Sequence, residues 1–288
     1  MSKAPKPLNL LQYHRPKRLK LTDVRIPPLS SESKRSLRNL AAYRPPPLPC
    51  PLPRSRSAAV LVALFVGRRG DLYVLLNRRS ATLRSYAGDT SLPGGKVEPK
   101  DRTIEDTARR EAFEEIGLTR NKLKVPLLCI LDPFMASNNL VVTPVVVLIL
   151  DNTLRPILNT AEVAELFSHP LAAFLSSTPP FPAEPELIEA PIKPVFGLTA
   201  AVLIHAASIA HAHAPDFEVA PPDALSGTAR IAWALITNPV FKEAYDAEGV
   251  DVDWAVVRRV AGIGPEAEAE GPQAQGAPRR MWRRRSKL

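Results

Sequence analysis

The sequence predicts an α/β domain of about 200 residues in which strands and helices share one core. Apolar runs of strand length alternate with helical segments along the middle of the chain, and turn residues separate them. Hydrophobic residues make up 45% of the 288 residues, which is enough for a sizeable core. No internal repeat divides the chain, so we expect a single folded unit.

The two ends of the chain differ from its middle in composition. Residues 1–56 are rich in proline, lysine and arginine, and we expect a largely irregular extension with one helical turn from Ser36 to Tyr43. Residues 57–264 are predicted to form the folded domain, and residues 265–288 a disordered basic tail. The net charge is +11 over residues 1–57, +3 over residues 265–288 and −5 between them. Basic ends of this kind are more often solvated segments than a nucleic-acid interface, so nucleic-acid binding is not expected.

Apolar runs and turn residues predict the individual elements of the domain. The run from Ala58 to Val66 predicts a buried strand, and a turn from Gly67 to Asp71 joins it to a second strand from Leu72 to Asn77. A helix from Thr103 to Ile116 ends at Gly117, because glycine tolerates the left-handed cap. Strands are also predicted at Leu127–Leu131 and Leu140–Leu150, and a buried helix from Leu198 to about Ala210. A proline-rich loop is expected at Pro179–Pro194. Short elements are expected at Ala161–Phe167, Leu171–Leu175, Ile231–Leu235 and Val252–Val260.

Several classes of protein are not expected from this sequence. No apolar run is a convincing membrane span, and the start of the chain lacks the apolar segment of a secretory signal. Two cysteines, Cys50 and Cys129, form no disulfide framework. The pair His211 and His213 lacks a third metal ligand nearby in sequence, so no metal site is predicted there.

The predicted helix carries an acidic face. At 100° per residue, Glu111, Glu114 and Glu115 fall within an arc of about 100°. The opposite side is predicted to pack on a sheet and consists of Ala108, Ala112, Phe113 and Ile116. Clustered carboxylates repel each other unless a cation lies among them, and Mg²⁺ or Mn²⁺ prefers such oxygen ligands. Arg110 lies to one side, where it can pair with Glu98 or Asp101. The alternative is a solvated acidic surface without a ligand.

The stretch from Gly95 to Leu118 resembles the Nudix box, the signature of hydrolases that cleave a nucleoside diphosphate linked to another group. The resemblance rests on Arg110-Glu111, Glu114-Glu115 and Gly117, preceded by Gly94-Gly95. Asp101 stands where the box usually has Glu, and eight residues rather than seven separate it from Arg110. Both departures resemble the coenzyme A diphosphatase branch of the family.

Segments outside the box are similar to the same branch, so that the resemblance covers roughly residues 57 to 235. They are Leu75-Leu76-Asn77-Arg78-Arg79-Ser80, Leu83-Arg84, Gly88, Leu92-Pro93-Gly94-Gly95, Glu162 to Phe167 and Phe196 to Ala200. Threonine is more usual at Asn77 and phenylalanine at Leu92.

The resemblance implies a Nudix-type α/β/α sandwich with a mixed β-sheet. It also implies that Glu114 and Glu115 bind Mg²⁺ or Mn²⁺, that Glu111 is a further ligand or the base, and that Arg110 belongs to the catalytic set. The carbonyl of Gly94 or Gly95 and the carboxylate of Glu162 are candidate additional ligands.

The implied substrates are coenzyme A and acyl-coenzyme A, cleaved to 3′,5′-ADP and 4′-phosphopantetheine or its acyl derivative. Arg79 and Arg84 are then candidate phosphate ligands, and a charged strand edge is the alternative. Two other functions stay open. One is a diphosphatase of the same compartment acting on NADH or another nucleoside diphosphate derivative, and the other is a catalytically inactive binding module.

The final tripeptide, Ser286-Lys287-Leu288, predicts import into the peroxisome matrix, because the peroxisomal import receptor recognises a terminal Ser-Lys-Leu. The expected substrate and the expected compartment agree, since peroxisomes handle acyl-coenzyme A.

Overall fold

The computed structural model describes residue 10 and residues 28–151, 156–178, 195–221 and 223–264. One eight-stranded mixed sheet forms its centre, with a main strand order of β3-β2-β1-β7-β5. Strand β4 pairs with β1, β6 with β7 and β8 with β2, and only the β1–β7 pairing is parallel among these contacts. The strands are β1 Ser57–Val66, β2 Leu72–Arg79, β3 Thr90–Ser91, β4 Gly94–Lys96, β5 Leu127–Ile130, β6 Phe134–Met135, β7 Val141–Leu148 and β8 Val163–Pro170.

Helices cover both faces of the sheet. They are α1 Ser31–Ala42, α2 Ile104–Ile116, α3 Gly197–His211, α4 Gly227–Thr237, α5 Pro239–Glu248 and α6 Trp254–Ala261. Alternate residues of β1 point to opposite faces. Leu61 and Ala63 pack with the buried side of α2, whereas Val62 and Leu64 pack with α1 and α3. The fold is therefore the α/β/α sandwich with a mixed sheet that the sequence predicts.

The helical turn predicted in the N-terminal extension is longer than expected. The predicted turn at Ser36 is part of a 12-residue helix, α1, which begins at Ser31. The Ser30 side chain caps it by accepting a hydrogen bond from the Ser33 amide. Leu37 and Leu40 are buried against α3 and the sheet. This part of the extension is regular because its apolar residues, spaced three apart, reach the core of the main domain.

The last described region also differs from the sequence prediction. The short apolar elements predicted around residues 231–235 and 252–260 lie in helices α4 and α6, and α5 between them was not predicted. Ile231, Phe241 and Val257 form a separate buried cluster with Cys50 and Val141. This cluster ties the C-terminal helices to the sheet.

Other predicted segments have mixed outcomes. The β1–β2 hairpin, helix α2 and helix α3 are confirmed, and β8 is one strand extending to Pro170. The proline-rich loop at residues 179–194 and the tail at residues 265–288 lie outside the described residues. Among the helices that the structure does describe, none is long and apolar enough to cross a membrane.

Candidate active site

Strand β4 and helix α2 bring the glycine turn and the acidic residues together. Antiparallel pairing sets Gly94 opposite Val60 and Gly95 opposite Ala59. A Cβ atom at Gly94 would overlap the Ala59 carbonyl, and one at Gly95 would overlap the Glu111 carboxylate. Only glycine therefore allows β1, β4 and the Glu111 side chain to approach this closely.

Helix α2 has strong signals at both ends. The Thr103 side chain accepts a hydrogen bond from the Asp106 amide, and Gly117 adopts the left-handed conformation with φ of 64°. Ala108, Ala112 and Ile116 are buried against the sheet as predicted. Phe113 is 51% exposed, so its predicted packing on the sheet is wrong. It lies about 140° around the helix from Ala108, too far to share one buried face, and the Arg120 guanidinium lies over its ring.

Asp101 and Arg110 form the buried ion pair of the site. Arg110 Nε lies 3.1 Å from Asp101 Oδ1 and Nη2 lies 2.9 Å from Oδ2. The Asp101 carboxylate also accepts hydrogen bonds from the Glu98 amide and the Thr107 hydroxyl. Burial alone would raise the pKa of Asp101, but these hydrogen bonds and the Arg110 charge hold it below its usual range. The aspartate that departs from the usual box is thus the bidentate partner of the box arginine.

Arg110 also reaches the acidic face itself. Its Nη1 donates to Glu111 Oε1 at 2.8 Å and to Glu114 Oε2 at 3.2 Å, and lies 3.5 Å from Glu98 Oε1. The expectation that Arg110 lies to one side is therefore wrong in part. Its guanidinium pairs with Glu98 and Asp101 as predicted, but the same planar group also contacts two of the three glutamates.

Glu115 is the most buried of the three glutamates, with 4% of its surface exposed. Burial raises the pKa of Glu115 to about 7, and the charges of Glu111 and Glu162 act in the same direction. The Arg79 charge and a hydrogen bond from the Gly94 amide offset this only in part. A purely solvated acidic surface is therefore excluded for Glu115. Glu114 is largely exposed and faces Arg120 as well as Arg110.

The remaining predicted residues are placed unequally. Glu162 acts electrostatically on both Glu111 and Glu115 although it lies just before β8. Arg79 acts on Glu115, and its Nε is buried without a hydrogen-bond partner among the described residues. Such a donor suits an anionic ligand. Arg84 is exposed, and no contact within the described part of the chain brings it to the carboxylates.

Sequence reasoning missed the role of Asn77. Its Nδ2 donates to Glu115 Oε2 at 3.1 Å, and its Oδ1 accepts from the Ser91 hydroxyl at 2.6 Å. The available signal was an amide directly after two leucines in a predicted strand. A polar side chain in such a position requires buried hydrogen-bond partners.

The donor chemistry fits a hard divalent cation, although the side chains do not form a complete cage as placed. Within the described residues, no three His, Cys, Asp or Glu side chains converge to hold a metal ion. Arg110 Nη1 lies between Glu111 and Glu114. The candidate ligands are mainly carboxylate oxygens, which hard cations prefer. The Glu111 carboxylate lies against Gly95, in the space that a Cβ atom would occupy. The metal-ligand roles of Glu111, Glu114, Glu115, Glu162 and Gly95 stay predictions.

A second titratable cluster lies on the opposite side of the sheet. Asp132 Oδ2 accepts hydrogen bonds from the Tyr43 hydroxyl and from His205 Nε2, the latter at 2.6 Å. Burial alone would raise the pKa of Asp132, but these donors hold it below its usual range. None of these three residues was predicted from the sequence to belong to a titratable cluster.

Comparison with known proteins gives matches over the same region. The NUDIX domain family matches residues 55–189. Nudix hydrolase 15, mitochondrial, from Arabidopsis thaliana is 38% identical over 178 residues, which cover 57% of this chain and 62% of that protein. The uncharacterized Nudix hydrolase NudL from Photorhabdus laumondii is 44% identical over 132 residues, which cover 46% of this chain and 68% of that protein.

A third relative matches over a shorter region. Peroxisomal coenzyme A diphosphatase 1 from Saccharomyces cerevisiae is 56% identical over 66 residues, which cover 23% of this chain and 19% of that protein. The chain therefore spans less than two thirds of the length of the Arabidopsis and yeast relatives.

Proposed function

The chain belongs to the Nudix hydrolase family, and on that premise we propose that it is a metal-dependent diphosphatase that hydrolyses coenzyme A and acyl-coenzyme A. The products are 3′,5′-ADP and 4′-phosphopantetheine or its acyl derivative. The observation that carries the chemistry is the buried Glu115, with a pKa of about 7, among Glu111, Glu162 and the Gly94-Gly95 turn.

The substrate assignment has separate support. The yeast relative is named a coenzyme A diphosphatase. The upstream segment that resembles this branch, from Leu75 to Gly95, supplies Arg79 to the surroundings of Glu115, whereas Asn77, which also contacts Glu115, stands where the branch more usually has threonine. Coenzyme A carries a 3′-phosphate in addition to its diphosphate, so it needs cations beyond those of a simple diphosphate, and Arg79 and Arg84 are the candidates.

The cation and the side chains have separate roles in the proposed reaction. Mg²⁺ or Mn²⁺, when bound, neutralises the diphosphate and lowers the pKa of an attacking water. Glu111, Glu114 and Glu115 would hold the cation, with Glu162 and the Gly95 carbonyl as candidate further ligands. Arg110 keeps Glu111 and Glu114 in place through its anchor on Asp101. A carboxylate of this group would accept the proton of the water, and Glu111 and Glu115 are both candidates for that role.

One assay tests the proposal against its rivals. Purified protein is incubated with coenzyme A, acetyl-coenzyme A or NADH, with Mg²⁺, Mn²⁺ or EDTA, and the products are separated by chromatography. We expect 3′,5′-ADP from both coenzyme A substrates and none in EDTA. Faster cleavage of NADH would instead assign the alternative diphosphatase. Binding of the substrates without cleavage of any of them would assign a binding module.

We propose peroxisomal import on two grounds, the Ser286-Lys287-Leu288 tripeptide and the naming of the yeast relative as peroxisomal. The Arabidopsis relative is named mitochondrial, so the compartment needs its own experiment. A fluorescent protein fused to the N-terminus should colocalise with a peroxisomal marker and become cytosolic when residues 286–288 are deleted. Unchanged import of the deleted form would refute the role of the tripeptide.

A further inference from the structure

Asn77 links the middle of the sheet to the most buried carboxylate of the site. Its side chain lies between Ser91 on β3 and Glu115 on α2, and only 1% of its surface is exposed. We propose that Asn77, oriented by Ser91, is a positioning residue that fixes the Glu115 carboxylate for the divalent cation. This inference rests on the proposed function, since it assumes that Glu115 is a metal ligand.

The position of Asn77 follows from the strand pairing. In the antiparallel β2–β3 ladder, Asn77 lies directly opposite Ser91. Side chains of directly opposed residues point to the same face and lie close together. The neighbouring residues Leu76 and Thr90 are buried. An amide in this environment is costly unless both of its ends are hydrogen-bonded, and here both ends are.

The chemistry of the two partners determines which way the amide points. Glu115 must be ionised to bind a cation, and an ionised carboxylate can only accept hydrogen bonds, so the NH₂ end of Asn77 faces Glu115 in the metal-binding form. The Ser91 hydroxyl then donates to the carbonyl end at 2.6 Å. If Ser91 were absent, the amide would lose the contact that holds its orientation. Ser91 therefore acts on Glu115 only through Asn77.

Glu115 receives two donors that constrain its oxygens. The Gly94 amide of β4 donates one hydrogen bond to the carboxylate, and Asn77 Nδ2 of β2 donates another to its Oε2 atom. Glu111 and Glu162 repel the same carboxylate, and the Asn77 donor holds Oε2 against this repulsion. Groups that orient a metal ligand in this way typically change metal affinity or activity by about 10–100-fold when removed.

The test measures metal binding directly, independently of turnover. Free Mn²⁺ is followed by electron paramagnetic resonance while the full-length protein, without substrate, is titrated. We expect Asn77→Ala to raise the Mn²⁺ dissociation constant by about tenfold. Ser91→Ala should raise it by about threefold, because Asn77 keeps its donor but loses its orientation. Circular dichroism and thermal melts establish that each variant is folded.

A double-mutant cycle tests whether Ser91 acts through Asn77. Adding Ser91→Ala to Asn77→Ala should leave the dissociation constant of the single Asn77→Ala variant unchanged. Ser80→Ala is the matched control, because Ser80 is also a serine bonded at this end of β2, but its hydroxyl pairs with Thr82 rather than Asn77. It should bind Mn²⁺ like the wild type.

The outcomes separate the inference from the proposed function. Wild-type protein that binds Mn²⁺ at other residues, so that Glu115→Gln has no effect, overturns the function on which the inference rests. Loss of binding in Glu115→Gln, with wild-type affinity in folded Asn77→Ala, overturns the positioning role alone. Additive effects of Asn77→Ala and Ser91→Ala overturn the route through Asn77.

Discussion

Two carboxylates on opposite faces of the sheet, the half-buried Asp132 and the buried Glu115, show how differently the same chemical group can be accommodated. Asp132, on the side of α1 and α3, receives hydrogen bonds from Tyr43 and His205, and its pKa is lowered. Glu115, on the side of α2, lies near Glu111 and Glu162, and burial together with these charges raises its pKa to about 7.

The opposite pKa shifts indicate that the Asp132 cluster has a structural role, whereas the Glu115 cluster is suited to a ligand. The neighbours of Asp132 are donors that stabilise its ionised form, so the fold itself compensates this charge. Among the described residues, the Asn77 and Gly94 donors and the Arg79 charge compensate the charge of Glu115 only in part. A buried carboxylate whose ionised form would be stabilised by an added cation is typical of a metal-binding site.

The largest expected effect comes from removing the partly compensated charge of Glu115. On the proposed function, Glu115→Gln should lower the kcat for coenzyme A hydrolysis by about 10³-fold or more, because an amide cannot replace the proposed carboxylate ligand of the cation. Chromatographic product assays measure this, with Asp132→Asn as the control from the other cluster. Hydrolysis by Glu115→Gln at near wild-type rates would mean that the active site lies elsewhere.

The Asp101–Arg110 pair extends the comparison within the active site, since Asp101 resembles Asp132 in having a complete set of partners. Asp101→Ala should lower the free energy of unfolding by about 3 kcal/mol, because it leaves a buried guanidinium short of its bidentate partner. Urea unfolding measures this. Glu98→Ala is the matched control, since Glu98 pairs with the same Arg110 but is 45% exposed, and should cost under about 0.5 kcal/mol.

A pH series should reveal the cost of ionising Glu115. Because its folded-state pKa lies above its unfolded-state value, its stabilising contribution is present at low pH and is lost as the pH rises to about 7. In metal-free buffer, Glu115→Gln should therefore become more stable than the wild type above pH 7, by on the order of 3 kcal/mol. Equal stability of the two proteins at pH 8 would contradict the raised pKa. Glu114→Gln provides the control at an exposed position of the same helix.

Asp132 should show the opposite pH dependence with a smaller magnitude. Its folded-state pKa is lowered, so its stabilising contribution is present near neutral pH and is lost as the pH falls through the acidic range. Asp132→Asn should reduce the free energy of unfolding by about 1 kcal/mol at pH 7 and leave kcat within about twofold. A loss of activity comparable to that of Glu115→Gln would show that both clusters serve catalysis.

Much of the fold and the centre of the site could be predicted because their signals are local. Thr103 and Gly117 mark the ends of α2, apolar spacing identifies its buried side, and turn residues join β1 to β2. The Nudix box resemblance placed Glu111, Glu115 and Arg110 in one group, and the structure brings these residues together. These features depend on residues within one turn or one hairpin of each other.

The tertiary structure decided which of these side chains are buried and what they meet. Asn77 and Glu115 lie 38 positions apart in the chain, and Asp132 and His205 lie 73 apart. Packing of α1 and of the C-terminal helices likewise depends on contacts with distant strands. Periodicity indicates which face of an element is apolar, but not which neighbour covers it. The burial that raises the pKa of Glu115 arises only when β2, β4 and α2 meet.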